Sequence, residues 1–191
     1  MPAMPGCGSS LSAVDQTQAA VLPGSCKHTT NLRAMLALLA MVTVPVLALD
    51  QAIKFYVQAH VRLYQSIAVI PHWLDITYTR NPGAAFSLFV NLPGWFRTSF
   101  LFALSAVAIV VLLVLLARSA ELNTNSISLA LILAGAAGNL IDRATHGEVI
   151  DFIDAHYYAY HYPIFNIADC AITIGVALIL AVPLFTRHSN Q

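Results

Sequence analysis

Four long runs of apolar residues divide this chain, and each is free of charged side chains over most of its length. Each run is close to the roughly 17–25 residues that a helix needs to cross about 30 Å of hydrocarbon. The pattern therefore predicts four membrane-spanning helices, at about residues 34–54, 97–117, 122–142 and 168–186.

The segment between the first two predicted helices, residues 55–95, has a different pattern. Within it, residues 66–80 are rich in β-branched and aromatic side chains with partial alternation, which favours strands. Asn81-Pro-Gly83 then breaks the pattern as a turn. We therefore expect an all-α membrane protein of four transmembrane helices, with a small β-sheet outside the membrane between helices 1 and 2.

The first part of the chain, residues 1–31, is rich in small and polar residues and lacks the apolar core of a signal peptide. We expect these residues to form a disordered leader. Residues 32–187 then form one four-helix membrane domain.

The composition agrees with a membrane protein. Hydrophobic residues make up 58% of the chain and charged residues 9%, with a mean hydropathy of +0.72, whereas about a quarter of the residues in a soluble domain are charged. The net charge is zero and the nine Lys and Arg residues are scattered, which excludes the basic patch of a nucleic-acid-binding protein. The distribution of these cations leaves the orientation in the membrane open.

Two aspartates, Asp151 and Asp169, flank a short polar and aromatic stretch between the last two apolar runs. A carboxylate close to hydrocarbon costs several kcal/mol unless it is compensated, so such a residue marks a functional site. Two carboxyl groups that share a site hold a single proton over a useful pH range, which suits acid and base catalysis of hydrolysis. Asp142 and Asp154 compete for this role, although a salt bridge would explain Asp142 and a solvent-facing position would explain Asp154.

Other classes of site remain open on pattern alone. His146, His156 and His161 bracket the aspartates and could bind zinc, although their spacing matches no familiar ligand signature. A serine nucleophile lacks its Gly-x-Ser-x-Gly motif, and a buried Cys170 is more typical of helix packing. A small proton or ion transporter could use Asp151 and Asp169 as relay carboxylates, and a structural scaffold would leave both unexplained.

The third apolar run ends in Ala134-Gly-Ala-Ala-Gly-Asn-Leu-Ile-Asp-Arg143. The small residues allow a neighbouring helix to approach closely. Asn139 and Arg143 lie on one side of the helix end, where Arg143 can offer a planar fork to a carboxylate or a carbonyl. Asp50 and Lys54 have the same i, i+4 spacing and predict either an ion pair at a helix end or a support of the site.

With these motifs in order, the chain resembles the lipoprotein signal peptidases (signal peptidase II), the intramembrane aspartyl proteases of bacteria. The resemblance covers residues 36–185. Five motifs carry it: Asp50-Gln-Ala-Ile-Lys54, Asn81-Pro-Gly-Ala-Ala-Phe-Ser87, Gly138-Asn-Leu-Ile-Asp-Arg143, Val149-Ile-Asp-Phe-Ile153 and Phe165-Asn-Ile-Ala-Asp-Cys-Ala-Ile172.

The resemblance implies a catalytic dyad of Asp151 and Asp169, which hydrolyses peptide bonds with no metal ion and no other cofactor. The residues that it implies around the dyad, as lining or support, are Asn81, Gly83, Asn139, Arg143, Asn166, Asp50 and Lys54. Pro82 and the leader depart from the usual family pattern.

The resemblance also implies the partners and the location. The substrates are diacylglyceryl-modified prolipoproteins, cut before the lipid-modified cysteine, and the enzyme is a monomer in contact with membrane lipid. It lies in the bacterial inner membrane with both termini in the cytoplasm, and the sheet and active site face the extracytoplasmic side.

Overall fold

The computed structural model describes residues 25–83, 93–119 and 122–188, with side chains described between residues 32 and 181 of these ranges. Most of the predicted leader lies outside the described residues. Helix α1, Ser25–Leu38, begins inside the predicted leader, and a π-helical turn, Leu39–Thr43, joins it to α2, Val44–His60. Pro45 follows this turn, and because proline has no N–H and its ring crowds the carbonyl four residues earlier, it accounts for the widened turn.

In the part of the chain that the structure describes, three helices are long and apolar enough to cross a membrane: Leu32–His60, Gly94–Arg118 (α3) and Thr124–His146 (α4). Helix α5 is Ile167–His188, and its apolar part, Ile167–Ala181, is shorter than these three helices. The protein is therefore mostly helical, with a small antiparallel sheet.

Helices α2 and α4 run past the predicted ends at residues 54 and 142, because hydropathy marks where a helix leaves hydrocarbon and not where it ends. The cap residues set the actual ends of α4. The Asn123 side chain accepts a hydrogen bond from the Ser126 N–H at 2.9 Å, and Gly147 ends the helix at φ +75°, in the left-handed region that glycine adopts without strain.

The sheet has four antiparallel strands in the order β1-β2-β3-β4: Ser66–Ile70, Leu74–Asn81, Val149–Tyr157 and Tyr160–His161. The prediction that the whole sheet lies between helices 1 and 2 was wrong, because β3 and β4 come from the segment between α4 and α5. Strand β3 pairs along β2, with Thr79 opposite Asp151 and Asn81 opposite Val149. The sheet therefore joins two distant segments of the chain.

A small apolar core fixes this sheet on the end of α2. Val57 of α2 and Val61, which directly follows that helix, pack with Tyr78 of β2 and with Ile150 and Phe152 of β3. Burying an apolar side chain of this size contributes about 1.5–3 kcal/mol. The core therefore holds Asp151, which lies between two of its members in sequence, at the end of the helix bundle.

Helices α4 and α5 approach each other at glycines, as the small residues of the third run predicted. A Cβ atom at Gly135 would overlap the carbonyl oxygen of Ala168, and one at Gly175 would lie 2.7 Å from the carbonyl oxygen of Ser128. Only glycine permits this separation. The close packing brings the end of α4 next to the first turn of α5.

We predict that Gly135→Ala lowers the melting temperature in detergent, because its methyl group must push α5 away, and overpacking of this kind costs about 1–3 kcal/mol. Gly94→Ala is the matched control, since a Cβ there meets nothing within 4 Å. Thermal unfolding of both purified variants tests this. Equal melting temperatures for Gly135→Ala and Gly94→Ala would contradict the packing described above.

Candidate active site

Asp151 and Asp169 lie on either side of one buried residue, Asn166. The Asn166 side-chain amide donates to Oδ1 of Asp151 at 2.7 Å, and its backbone N–H donates to Oδ2 of Asp169 at 3.3 Å. The Asp169 N–H donates in turn to Oδ1 of Asn166 at 2.8 Å. Asn166 immediately precedes α5, so this exchange also caps the start of the helix. One side chain thus ties the strand that carries Asp151 to the helix that carries Asp169.

Two further asparagines complete the hydrogen bonds of the aspartates. Asn81, at the end of β2, donates to Oδ2 of Asp151 at 3.1 Å, and Asn139 of α4 donates to Oδ1 of Asp169 at 2.9 Å. Each carboxyl group therefore accepts a bond at both of its oxygens. Because these donors are neutral, they orient the carboxyl groups without cancelling their charges.

The surroundings of Asp151 favour its protonated form. Its side chain is almost fully buried, and desolvation together with the nearby charge of Asp169 raises the pKa of Asp151 from 3.8 to about 7. The bonds from Asn81 and Asn166 oppose this shift only in part. Near neutral pH the pair of carboxyl groups therefore holds one proton, which suits paired acid and base chemistry.

A buried ion cluster lies behind the aspartates. The Lys54 ammonium is 2.8 Å from Oδ2 of Asp50 and 2.7 Å from Oδ2 of Asp142, and each of these side chains is at most 2% exposed. Oδ1 of Asp50 accepts the Ala168 N–H at 2.9 Å, so Asp50 also satisfies a free N–H at the start of α5. Asp50 and Lys54 thus form the predicted ion pair, and Asp50 also binds the helix that carries Asp169.

Gly83 and Arg143 lie at the edge of this arrangement. The Gly83 N–H donates to Oδ1 of Asn81 at 2.9 Å, which turns the Asn81 amide nitrogen toward Asp151 and accommodates Pro82 between them. The Arg143 guanidinium donates to the Asn139 carbonyl at 3.2 Å and to the Ser105 hydroxyl at 3.4 Å. Of the two partners predicted for Arg143, the carbonyl is therefore the one it contacts. The remainder of the Asn81–Ser87 motif lies outside the described residues.

The competing acids occupy other positions. Asp142 binds Lys54, as its salt-bridge interpretation predicted. The expectation that Asp154 faces solvent was wrong: it is buried in the sheet, where it accepts from His161 at 2.8 Å and from Thr77 at 3.5 Å. The side chains of Thr77 from β2 and His161 from β4 lie against it, and the sequence pattern did not reveal these contacts.

The histidines of the zinc alternative are engaged separately. His156 lies 3.3 Å from Asp75 and stacks on His161, with ring centroids 4.6 Å apart, while His146 bonds Thr145 at the end of α4. The nearby Asp75 carboxylate raises the pKa of His156, although burial opposes the shift. Within residues 25–83, 93–119 and 122–188, no three potential ligands come together as a metal site.

Sequence reasoning missed two contributors to the cluster. Gln51 donates to Asp50 at 3.2 Å, to Asp142 at 3.2 Å and to the Gly138 carbonyl at 3.3 Å. The second contributor is the backbone of Ile150 in β3, whose N–H donates to Asp142. A polar residue inside an apolar run is the signal that could have identified Gln51.

Known proteins are similar to this chain over most of its length. The sequence model described as signal peptidase (SPase) II matches residues 42–185. The lipoprotein signal peptidase of Syntrophus aciditrophicus is 46% identical over 147 residues, covering 76% of this chain and 91% of that protein. The lipoprotein signal peptidase of Geobacter metallireducens is 43% identical over 153 residues, covering 80% and 93%.

Two solved structures are also similar. One is described as a bacterial membrane enzyme determined by the in meso method at 2.3 Å resolution; it is 36% identical with a TM-score of 0.67 and covers 85% of this chain and 92% of its own. A second, at 1.9 Å resolution, is 36% identical with a TM-score of 0.65, covering 82% and 93%.

We predict that Asp151 titrates near neutral pH. Because burial and the Asp169 charge favour its protonated form, a protonated carboxyl band in infrared difference spectra should be lost as the pH rises through about 7. The folded state binds this proton more tightly than the unfolded state. The contribution of Asp151 to the free energy of unfolding therefore declines as the pH rises from 3.8 to about 7.

The assignment of the band depends on two variants. It should be absent from Asp151→Asn and present in Asp154→Asn, which removes another buried carboxyl group of the same strand. A band that persists in Asp151→Asn would show that a different group titrates there.

Proposed function

Because the chain belongs to the signal peptidase II family, we propose that Asp151 and Asp169 form the catalytic dyad with which it acts. The enzyme is an aspartic peptidase that removes signal peptides from prolipoproteins. The observation that carries the assignment of the dyad is the pair of hydrogen bonds that Asn166 donates. Its side chain binds Asp151 and its backbone N–H binds Asp169.

In the proposed mechanism the dyad activates one water molecule. Asp169 is the ionised member, because it lies in the first turn of α5, where the helix N-terminus favours negative charge. Asp151, whose pKa is raised to about 7, carries the proton. Asp169 removes a proton from the water, whose oxygen attacks the scissile carbonyl carbon, while Asp151 donates to the carbonyl oxygen.

The tetrahedral intermediate then collapses with the roles reversed. The carbon–nitrogen bond breaks, Asp169 gives its proton to the leaving amine, and Asp151 recovers its proton from the hydroxyl group as the carbonyl re-forms. The products are a free carboxyl group on the signal peptide and a free amine on the mature chain. The pair returns to its starting protonation state without a covalent intermediate.

The remaining site residues take supporting roles in this proposal. Asn81, oriented by Gly83, and Asn139 hold the outer oxygens of the two aspartates, so each carboxyl group presents a fixed face to the water. Asp50 and Lys54 support the start of α5. Arg143 lies beside Asn139 and has further N–H groups that could bind a substrate carbonyl.

The proposed substrate class agrees with a site that lies at the end of the helix bundle. We propose that the enzyme acts on prolipoproteins that carry a diacylglyceryl group, and that it cuts before the modified cysteine. Acyl chains would anchor such a substrate in the bilayer at the level of the dyad, where burial of a soluble peptide would be costly. We also propose that the enzyme works as a monomer in contact with membrane lipid.

This is a protein of the bacterial inner membrane. We propose that α5 is the fourth span, which returns the C-terminus to the side of the N-terminus, in the cytoplasm. The sheet and both aspartates would then face the extracytoplasmic side. Supporting this, β1 and β2 follow α2 in the chain, and β3 and β4 follow α4, so both pairs begin where a span ends. The transporter alternative has no support among the comparisons.

We predict that Asp151→Asn and Asp169→Asn each lower the rate of cleavage by about 10²–10⁴-fold or more. Each substitution removes a proton-transfer partner while keeping the size of the side chain. The measurement is the conversion of a lipidated precursor by purified enzyme in detergent, at matched protein levels. Asp154→Asn is the control and should keep its activity. Near-normal conversion by either dyad variant would show that the chemistry uses other residues.

A further inference from the structure

Asp142 is a buried carboxylate that the proposed mechanism does not use, and both of its oxygens are occupied. Oδ1 accepts from the Gln51 amide at 3.2 Å, and Oδ2 accepts from the Lys54 ammonium at 2.7 Å and from the Ile150 N–H at 3.2 Å. Its side chain is 2% exposed. Asp142 therefore joins three elements, because Gln51 and Lys54 belong to α2, Ile150 belongs to β3, and Asp142 itself belongs to α4.

The bond to Ile150 bears directly on Asp151, the next residue in the strand. Ile150 is fully buried, and its two backbone groups are held from different directions. Its N–H donates to Asp142, and its carbonyl accepts from the Asn166 side chain at 3.2 Å. With both groups bonded, the backbone that enters Asp151 has little freedom to rotate. The position of the Asp151 carboxyl group is therefore set in part by Asp142.

The bond to Lys54 extends the effect to the other aspartate. The Lys54 ammonium also lies 3.5 Å from Oδ1 of Asn139. An ammonium can only donate, so the Asn139 oxygen must face it, which leaves the amide nitrogen to donate to Asp169 at 2.9 Å. Asp142 helps to hold Lys54 in the place from which it fixes this orientation.

We propose that Asp142 is a positioning residue for both aspartates: it holds Asp151 through the Ile150 amide and Asp169 through Lys54 and Asn139. It makes no contact with either carboxyl group of the dyad. The inference rests on the proposed function of Asp151 and Asp169, and it gives a role to the aspartate of the Gly138–Arg143 motif.

The test compares three substitutions in the full chain, purified in detergent and supplied with a lipidated precursor. Asp142→Asn keeps an oxygen for Ile150 but loses the charge that holds Lys54, and Asp142→Ala loses both. Loss of an outer partner that orients a metal ligand typically changes activity by about 10–100-fold, and we expect the same scale for the outer partners of these carboxyl groups. We expect kcat to fall by about 10-fold in Asp142→Asn and by about 100-fold in Asp142→Ala, with KM within about twofold of the wild type.

The pH profile separates positioning from a general loss of structure. The charged groups that act on the dyad are Asp50 and Lys54 from α2 and Arg143 from α4. Asp142 of α4 in turn acts on Lys54 and Arg143. Asp142→Asn makes these surroundings more positive by one charge, which should lower the pKa of Asp151 and move the alkaline limb of kcat to lower pH. A variant that was merely less stable would lose folded enzyme without moving this limb, and it would keep the wild-type kcat per folded enzyme.

Asp142→Glu keeps the charge but displaces the oxygen that meets Ile150, so we expect a reduced kcat with an unshifted pH profile. It also covers the case in which Asp142→Asn and Asp142→Ala fail to insert, because in Asp142→Glu alone Lys54 keeps two carboxylate partners. The control is again Asp154→Asn, which should keep the wild-type kcat and pH profile.

Wild-type kcat in Asp142→Ala or in Asp142→Glu would overturn the inference. So would a loss of activity in Asp142→Asn that disappears when the rate is divided by the concentration of folded enzyme, because it would show a loss of stability and not of positioning. None of these results would affect the assignment of the dyad, which depends on Asp151→Asn and Asp169→Asn.

Discussion

The ion pairs of the Lys54 ammonium with Asp50 and Asp142 are the interaction on which the rest of the structure depends. Burying charged groups is costly, and removing one partner of a buried pair typically destabilises a protein by about 3–5 kcal/mol. The pairs join α2 to α4, and the bond from Asp50 to the Ala168 N–H adds the start of α5. Three helices therefore meet at one cation, next to the two aspartates.

The sheet contributes what the helices cannot, which is a second, independent support for Asp151. A helix could have carried both aspartates, but residues on one helix keep a fixed spacing and direction. Here Asp151 comes from a strand and Asp169 from a helix, and Asn166 spans the junction between them. The separation of the two carboxyl groups is thus set by the packing of the sheet core against the end of α2.

Much of this arrangement could be predicted from the sequence, because charged residues are rare in an apolar chain and each therefore stands out. The strands within residues 66–80 were predicted from local composition, whereas β3 was not, because its partner β2 lies some seventy residues earlier and pairing at that distance leaves no local signal. Gln51 was missed for a similar reason. Its three acceptors lie on two different helices, and a single sequence does not show which helices pack together.

The pairing of β2 with β3 has a consequence for how the enzyme is made. Strand β2 leaves the ribosome before α3 and α4, and β3 follows them, so Asn81 cannot meet Asp151 until both of these helices have been inserted. Asp169 arrives later still, with the final helix. If Asp151 and Asp169 are the dyad, as proposed above, the growing chain has no complete pair of acids during synthesis, and the nascent protein would not cleave neighbouring chains in the membrane before its own assembly is finished.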